Sequence, residues 1–416
     1  MSPSADATAR LDAATGRGAA TGPDAVASGV APVRVALLGT RGFGAVHLRT
    51  LSRLAARGIA RLVGVVDVAE PPPELAGIHH RSLAALLEAT PEADRPEVVA
   101  IATPIGTHLE LATEALAAGL DVYLEKPPVP SLEDHWRLLE AAEAAGRSVQ
   151  VGFQARGGAG VDVLREEVAT GALGRIEAVH VYGAWLRDRA YYARSAWAGK
   201  RRLDGRRVAD GVATNPLAHS VHAGLAIAGI DDVADIAAVT VELRHAHDIE
   251  ADDTAFLRID PAGEAPAVVC ALTTVAAEQT SPWIEIRGSG GGHRLYYTED
   301  RSVRTAADGT AQELAHERED LMENLLAHVR DRSVPLRSPL ASTGVFSAVL
   351  EATQSVPDPL PIEAGVTWAG EGEAAHPVVD GIEQTLRTAL ATGQPFSELG
   401  VPWARPDAVH RWTPPA

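Results

Sequence analysis

The sequence predicts a two-domain α/β protein: a doubly wound parallel sheet first, then an α+β domain built on a mostly antiparallel open sheet. Three observations predict it. Over residues 32–153, short apolar runs alternate with amphipathic stretches, the pattern of strands joined by crossover helices. Beyond 153, apolar runs follow one another with only turn signals between them, as in antiparallel sheets. The chain has 416 residues, 46% of them apolar, which suffices for two cores. Aromatic residues are only 4%, so those cores rest on Ala, Val and Leu.

Residues 1–31 carry little apolar periodicity and are expected to be a disordered tail. VRVALLG, from Val33, reads as a buried strand ended by glycine, followed by a helix over 44–57. Strands are expected at 62–67, 97–104, 121–127 and 148–153, with helices at 81–89, 107–118 and 131–145, the last stopped by Gly146. The dinucleotide-type domain therefore spans 32–153. The second domain, 154–416, is expected to hold a helix at 159–170 and strands at 176–186, 234–244, 253–260, 266–276 and 283–287. A GSGGG turn (288–292) follows, then helices at 315–331, 340–353 and 379–391.

Thirty-seven basic residues against 55 acidic give a net charge of −18, which repels nucleic acid and anionic lipid. The local exception is Lys200-Arg201-Arg202 with Arg206 and Arg207. It reads either as a solvated loop or as a lip that guides an anionic ligand. No apolar run is long enough for a bilayer, and no secretory pattern opens the chain. The single cysteine, Cys270, fits a reducing compartment. The expected location is the cytoplasm, with neither nucleic acid nor membrane as partner.

GTRGFG (39–44) lies between a strand and a helix, where backbone N–H groups and the helix N-terminus can hold a pyrophosphate. Gly39 and Gly44 occupy the first and third glycine positions of the Rossmann fingerprint. Arg41 stands at the second, beside Gly42 and Phe43. Asp67 ends the second strand, where an acid can accept hydrogen bonds from adenosine ribose hydroxyls. It would repel a 2′-phosphate, and Val68, Ala69 and Glu70 supply no cation to hold one. NAD is thus the expected cofactor, ahead of NADP.

VALLGTRGFGAVH, LVGVVD, VVAIATPIGTH, AGLDVYLEKPP and VQVGFQAR, followed by TGALGRIEAVHV, occur in this order. In order and spacing they resemble the glucose–fructose oxidoreductase / inositol dehydrogenase / MocA family over roughly residues 33–350, with Glu125-Lys126-Pro127 as the most characteristic mark. The resemblance implies that Thr103, Pro104 and His108 form the loop beside the nicotinamide and its ribose. It implies that Glu125 contacts the nicotinamide ribose region and that Lys126 touches both cofactor and substrate. It also implies a cis Lys126–Pro127 peptide and a homo-oligomer, dimer or tetramer. An open sheet with a bare second face gives a physical reason for such assembly.

In this family a helix of the second domain carries an Asp and, four residues on, a His. The matching segment here is DGVATNPLAHSVH (210–222). Asn215 stands where the family has aspartate, His219 keeps the histidine, and His222 lies on the same expected helical face. Asn215-Pro216 also reads as a helix cap and first turn. The catalytic set expected is Lys126, His219 and Asn215. Arg187, Tyr191, Arg194 and Trp197, with Arg156 from the domain junction, combine aromatic faces and forked donors suited to a carbohydrate-like substrate. His245, His247 and Asp248 do not supply the converging ligands a metal needs, so no metal is expected.

The leading function is NAD-dependent hydride transfer with a secondary alcohol of a sugar, polyol or glycoside. Two alternatives stand beside it. One is an NAD-dependent glycosidase whose cofactor is recycled within a turnover. The other, motivated by Asn215, is a cofactor-binding protein without catalysis. The tail SELGVPWA (397–404) is expected to fold over the second domain or a neighbouring subunit.

Overall fold

The computed structural model describes residues 31–405 and 408–415. The expected disordered tail lies outside the described residues except for Ala31. The chain divides into two compact units. The first runs to Gly157 and also takes in Glu319–Thr343. The second comprises Gly158–Arg318 and the chain from Gly344 onward.

In the first unit β1 (Val33–Leu38), α1 (Phe43–Ala56), β2 (Ala60–Val66), β3 (His79–His80), α2 (Leu83–Ala89), β4 (Val98–Ile101), α3 (His108–Ala117), β5 (Asp121–Leu124), α4 (Leu132–Ala145) and β6 (Val149–Val151) alternate as expected. All six strands are parallel, in the order β3-β2-β1-β4-β5-β6. Strand order reverses between β1 and β4, and the crevice outside their carboxyl ends is where such sheets bind ligands. Local chemistry sets the helix ends. Ser82 and Ser131 accept the backbone N–H of Ala85 and Asp134 at the starts of α2 and α4, and Gly146 closes α4 in the left-handed region.

The second unit opens with α5 (Ala159–Thr170) and β7 (Ile176–Ala184), followed by α6 (Arg189–Ala193). The short hairpin β8 (Arg202–Leu203) and β9 (Arg206–Arg207) precedes α7 (Ala218–Ala228). Then come β10 (Ile236–His245), β11 (Thr254–Pro261), β12 (Ala267–Thr273), β13 (Trp283–Gly288), β14 (Gly291–Tyr296), β15 (Arg301–Ala306) and β16 (Ala311–Ala315). The GSGGG cluster is the turn between β13 and β14. A Cβ at Gly291 would lie 2.1 Å from the Thr305 carbonyl oxygen, so only glycine fits there.

The helix expected at 315–331 is shorter. Strand β16 ends at Ala315, and α8 (Leu321–Arg330) begins after its cap, Asp320. Helix α8 belongs to the first unit, where Leu321, Met322, Leu325 and Leu326 join the core of β1, β2, β4 and α1. Buried Gln150 of β6 pins this return. Its amide donates to Leu321 O and Asn324 Oδ1, and its oxygen accepts Ser338 N–H.

The chain re-enters the second unit with α9 (Gly344–Ser355), β17 (Leu360–Pro361), the hairpin β18 (Val366–Ala369) and β19 (His376–Val379), α10 (Ile382–Thr392) and β20 (His410–Trp412). The second sheet runs β16-β15-β14-β13-β7-β12-β11-β10-β17, with β20 also on β10. It is antiparallel except at β7–β12 and β10–β17. Its central strands are buried on both faces. Gly224 of α7 packs against Val181 and Val268 on one. Tyr182, Phe256, Val269 and Trp283 pack against Ile382, Leu386 and Leu390 of α10, with Phe396 and Trp403, on the other. The tail therefore folds on its own second unit. Buried Glu242 accepts from the Ser397 N–H and hydroxyl, and buried Arg244 donates to Arg405 O. Cys270 is fully buried in β12, which pushes its thiol pKa up and leaves it a packing residue.

Candidate active site

At the carboxyl end of β1, Gly39 turns with φ 84° and its N–H donates to Val66 O. A Cβ at Gly44 would lie 2.0 Å from Gly39 O, so the loop packs against the start of α1 with no room for a side chain. Gly42 is the N-cap residue of α1, and no side chain caps that end. This leaves a helix N-terminus suited to an anion. Arg41 and Phe43 are exposed beside it.

Asp67, just past β2, ties the loop down. Its carboxylate accepts from Thr40 N–H (2.9 Å), Thr40 hydroxyl (2.6 Å) and Ala69 N–H (3.0 Å). Partial burial raises its proton affinity, but these hydrogen bonds and the charge of Arg41 outweigh that, and its pKa lies below the usual carboxylate value. The structure also brings a cation here that sequence spacing hides. Arg81 hydrogen-bonds to Val68 O and pairs with Glu70.

At the ends of β4 and β5, the Thr103 and Thr107 hydroxyls are 2.7 Å apart, in the loop that holds Pro104. His108 is buried, with Nε2 2.8 Å from Thr103 O and Nδ1 3.1 Å from Pro127 O and Pro128 O. Burial lowers its pKa, so the ring is neutral and donates at one side at a time. It braces the Thr103 loop against the turn after Lys126. The Lys126–Pro127 peptide is cis. Glu125 is buried, 2.7 Å from His47 Nε2, and its second oxygen accepts Lys126 N–H. Arg156 lies half-buried after β6, in this same unit.

In the second unit the structure corrects one expectation. Helix α7 begins at Ala218, so Asn215 is neither its cap nor on its face. Asn215 lies in the preceding turn, where its amide donates to Asp210 and its N–H to Gly211 O. His219 and His222 are on α7 and buried. The His222 ring is edge-on to Phe346 of α9, which places it in helix packing.

The aromatic and arginine residues do come together. The Arg187 guanidinium stacks 4.7 Å from the Trp185 ring and 4.8 Å from the Tyr191 ring. The Arg194 guanidinium lies 3.6 Å from Tyr191 and 4.7 Å from Trp197. Arg194 is also 3.5 Å from buried Asp210, which accepts Gly199 N–H at 2.6 Å.

The basic run is mostly paired: Lys200 with Glu250, Arg201 with Asp358, and Arg207 with Glu351. His247 is held by Asp253 and the Arg187 carbonyl, and His245 Nδ1 lies 2.7 Å from His247 O. Among the described residues no group of three His, Cys, Asp or Glu is arranged to hold a metal, and no helix is long and apolar enough to cross a membrane.

Residues 33–153 match the family model described as "Oxidoreductase family, NAD-binding Rossmann fold", of the glucose–fructose oxidoreductase / inositol dehydrogenase / MocA group. Over residues 33–153 the chain thus carries that family's NAD-binding Rossmann domain. Inositol 2-dehydrogenase of Streptomyces avermitilis is 37% identical over 153 residues, covering 35% of this chain and 43% of that protein. The matched stretch thus spans less than half the length of such curated relatives.

Two solved structures extend the likeness in fold. WlbA dehydrogenase from Bordetella pertussis, in complex with NADH and UDP-GlcNAcA, has a TM-score of 0.61 at 23% identity, covering 77% of this chain and 95% of that one. An inositol dehydrogenase homologue from Azotobacter vinelandii, with NADH and myo-inositol, has a TM-score of 0.62 at 17% identity, covering 78% and 95%.

Sequence reasoning missed Thr40, His47, Arg81 and Asp210. His47 had a legible signal. Gly44, His47, Leu51 and Leu54 form the buried stripe of α1, and a histidine in an apolar stripe needs a polar partner. Thr40 and Arg81 meet their partners only through tertiary contact, and Asp210 meets Asn215 within its own turn.

Proposed function

We propose that the chain is an NAD-dependent oxidoreductase that moves hydride between a secondary alcohol of a sugar, polyol or glycoside and the nicotinamide. One observation supports it above others. The uncapped N-terminus of α1, the side-chain-free cradle at Gly39 and Gly44, Asp67 and the Glu125–Lys126 turn all stand at carboxyl ends of one parallel sheet.

Those residues fit a dinucleotide. Gly39, Arg41, Gly42, Phe43 and Gly44 would hold the pyrophosphate. Asp67 would accept from the adenosine ribose, and Thr103, Pro104 and Glu125 would line the nicotinamide end, with His108 bracing their loop. The bound nicotinamide accepts or gives the hydride. The chain supplies the proton chemistry. His219 takes the hydroxyl proton, since neutral imidazole is available near pH 7. Lys126 stabilises the developing alkoxide by its charge. Asn215 orients through its amide, and the charge absent from its side chain is supplied next to it by Asp210. The second unit's stack of Trp185, Tyr191 and Trp197 suits a sugar face, and the UDP-sugar and myo-inositol complexes of the two structural neighbours support that substrate class.

The test is nicotinamide reduction across a panel of sugars and polyols. With a turned-over substrate in hand, His219→Ala is expected to lower turnover by roughly a hundredfold or more while NAD affinity is kept. Lys126→Ala is expected to impair both. Near-normal turnover by His219→Ala would remove the assignment of the base. Sugar release without net NADH would select the glycosidase instead.

A further inference from the structure

Three arginines are buried among the described residues: Arg187, Arg201 and Arg244. Arg244 has Glu242 at 2.8 Å and Arg201 has Asp358 at 3.2 Å. Arg187, only 3% exposed, has no carboxylate within ion-pair distance among the described residues. Its Nη1 donates to Leu186 O (2.9 Å) and Gln279 Oε1 (3.2 Å), both neutral, and its buried Nε has no partner. A buried guanidinium without a counter-charge is costly to hold, the more notable in a chain of net charge −18.

Arg187 is also placed as a ligand group would be. It follows β7, and its plane is fixed between the Trp185 and Tyr191 rings. The stack continues through exposed Arg194 to half-buried Trp197, while Trp185 and Arg187 at the other end are buried. The exposed cation, Arg194, has its own carboxylate in Asp210. Only the deep one lacks a counter-charge. Aromatic rings take the CH face of a sugar, and a planar fork of N–H donors takes a carboxylate or phosphate.

We propose that Arg187 is a specificity-determining residue that recognises an anionic substituent, a carboxylate or phosphate, on the carbohydrate substrate. This rests on the carbohydrate reading above and narrows it to acidic or phosphorylated sugars. Rings alone do not supply the missing negative charge, whereas such a substituent does.

The experiment uses the full chain loaded with NAD. Its probes are matched sets: D-glucose, D-glucuronate and D-glucose 6-phosphate, then the galactose, mannose and myo-inositol counterparts. Binding is read by thermal shift and titration calorimetry, and turnover by nicotinamide reduction. At least one anionic member is expected to bind tenfold or more tightly than its neutral counterpart. Arg187→Met should bring that ratio near one, and Arg187→Lys should keep part of it. The class of the favoured member tells carboxylate from phosphate. Circular dichroism and NAD affinity check that each variant is folded.

Equal binding of neutral and anionic members throughout, no binding by any member, or a ratio that survives in folded Arg187→Met overturns the proposal. The same holds if Arg187→Met lowers only the melting temperature. Anionic preference without any nicotinamide reduction would leave anion recognition standing and count against hydride transfer. Reduction of neutral members without anionic preference would do the reverse.

Discussion

At Asp67 two demands meet in one carboxylate: it secures the glycine loop through Thr40, and in the proposed function it would face the ribose position that separates NAD from NADP. Arg81, just past β3, hydrogen-bonds to the turn after it and is the kind of residue that binds a 2′-phosphate, but Glu70 pairs with it. NAD is therefore expected to bind at least about tenfold more tightly than NADP in competitive titration, since repulsion by Asp67 is not offset by a released cation. Glu70→Gln should free Arg81 and narrow that gap severalfold, with NAD affinity little changed. A gap untouched by Glu70→Gln would leave Asp67 alone as the discriminator. His47 and Glu125 illustrate the same dependence on context. Each is an ordinary residue type in the sequence, and only packing of α1 on the sheet makes them a buried hydrogen-bonded pair beside Lys126.

At the scale of elements, the turn before α7 carries the most consequence. DGVATNPLAHSVH has the composition of a capped helix, and Asn-Pro is a good first-turn pair. The segment instead stays in turns until Leu217, because Asp252 draws Val212 N–H and Thr214 draws Gly211 N–H inward. Asp252 is buried, and desolvation raises its pKa to about 7 against hydrogen bonding from Val212. Because the folded pKa lies above the unfolded one, its contribution to stability is full below about pH 4. It falls as pH rises and is lost once pH passes about 7. Melting between pH 4 and 8 should therefore show a decline that Asp252→Asn flattens, while Asn still accepts Val212 N–H. An unchanged profile in that variant would assign the decline to other groups. Strands β14 to β16 were illegible for a different reason. They are largely half-buried or exposed, so they lack the apolar alternation by which a strand is read.

For the whole molecule, the reason given for a homo-oligomer was a bare face on the second sheet. The structure covers that face over the central strands with α10, Phe396 and Trp403 of the same chain. The dimer or tetramer that the resemblance implies would then use the outer strands or another surface, and light scattering read against the 43.5 kDa of one chain checks it. The sequence by itself determined the parallel sheet, its order of elements, the glycine loop and the Glu125-Lys126-Pro127 turn. Each of these is written in contiguous residues: apolar runs of strand length, glycines where no Cβ fits, and serine caps. Tertiary structure alone decided the return of α8 to the first unit and the tail's cover of the second sheet. It also decided the partners of His47, Arg81, Asn215 and Arg187. Pairings between residues far apart in the chain depend on which surfaces the fold buries against each other, and local propensity carries no record of that.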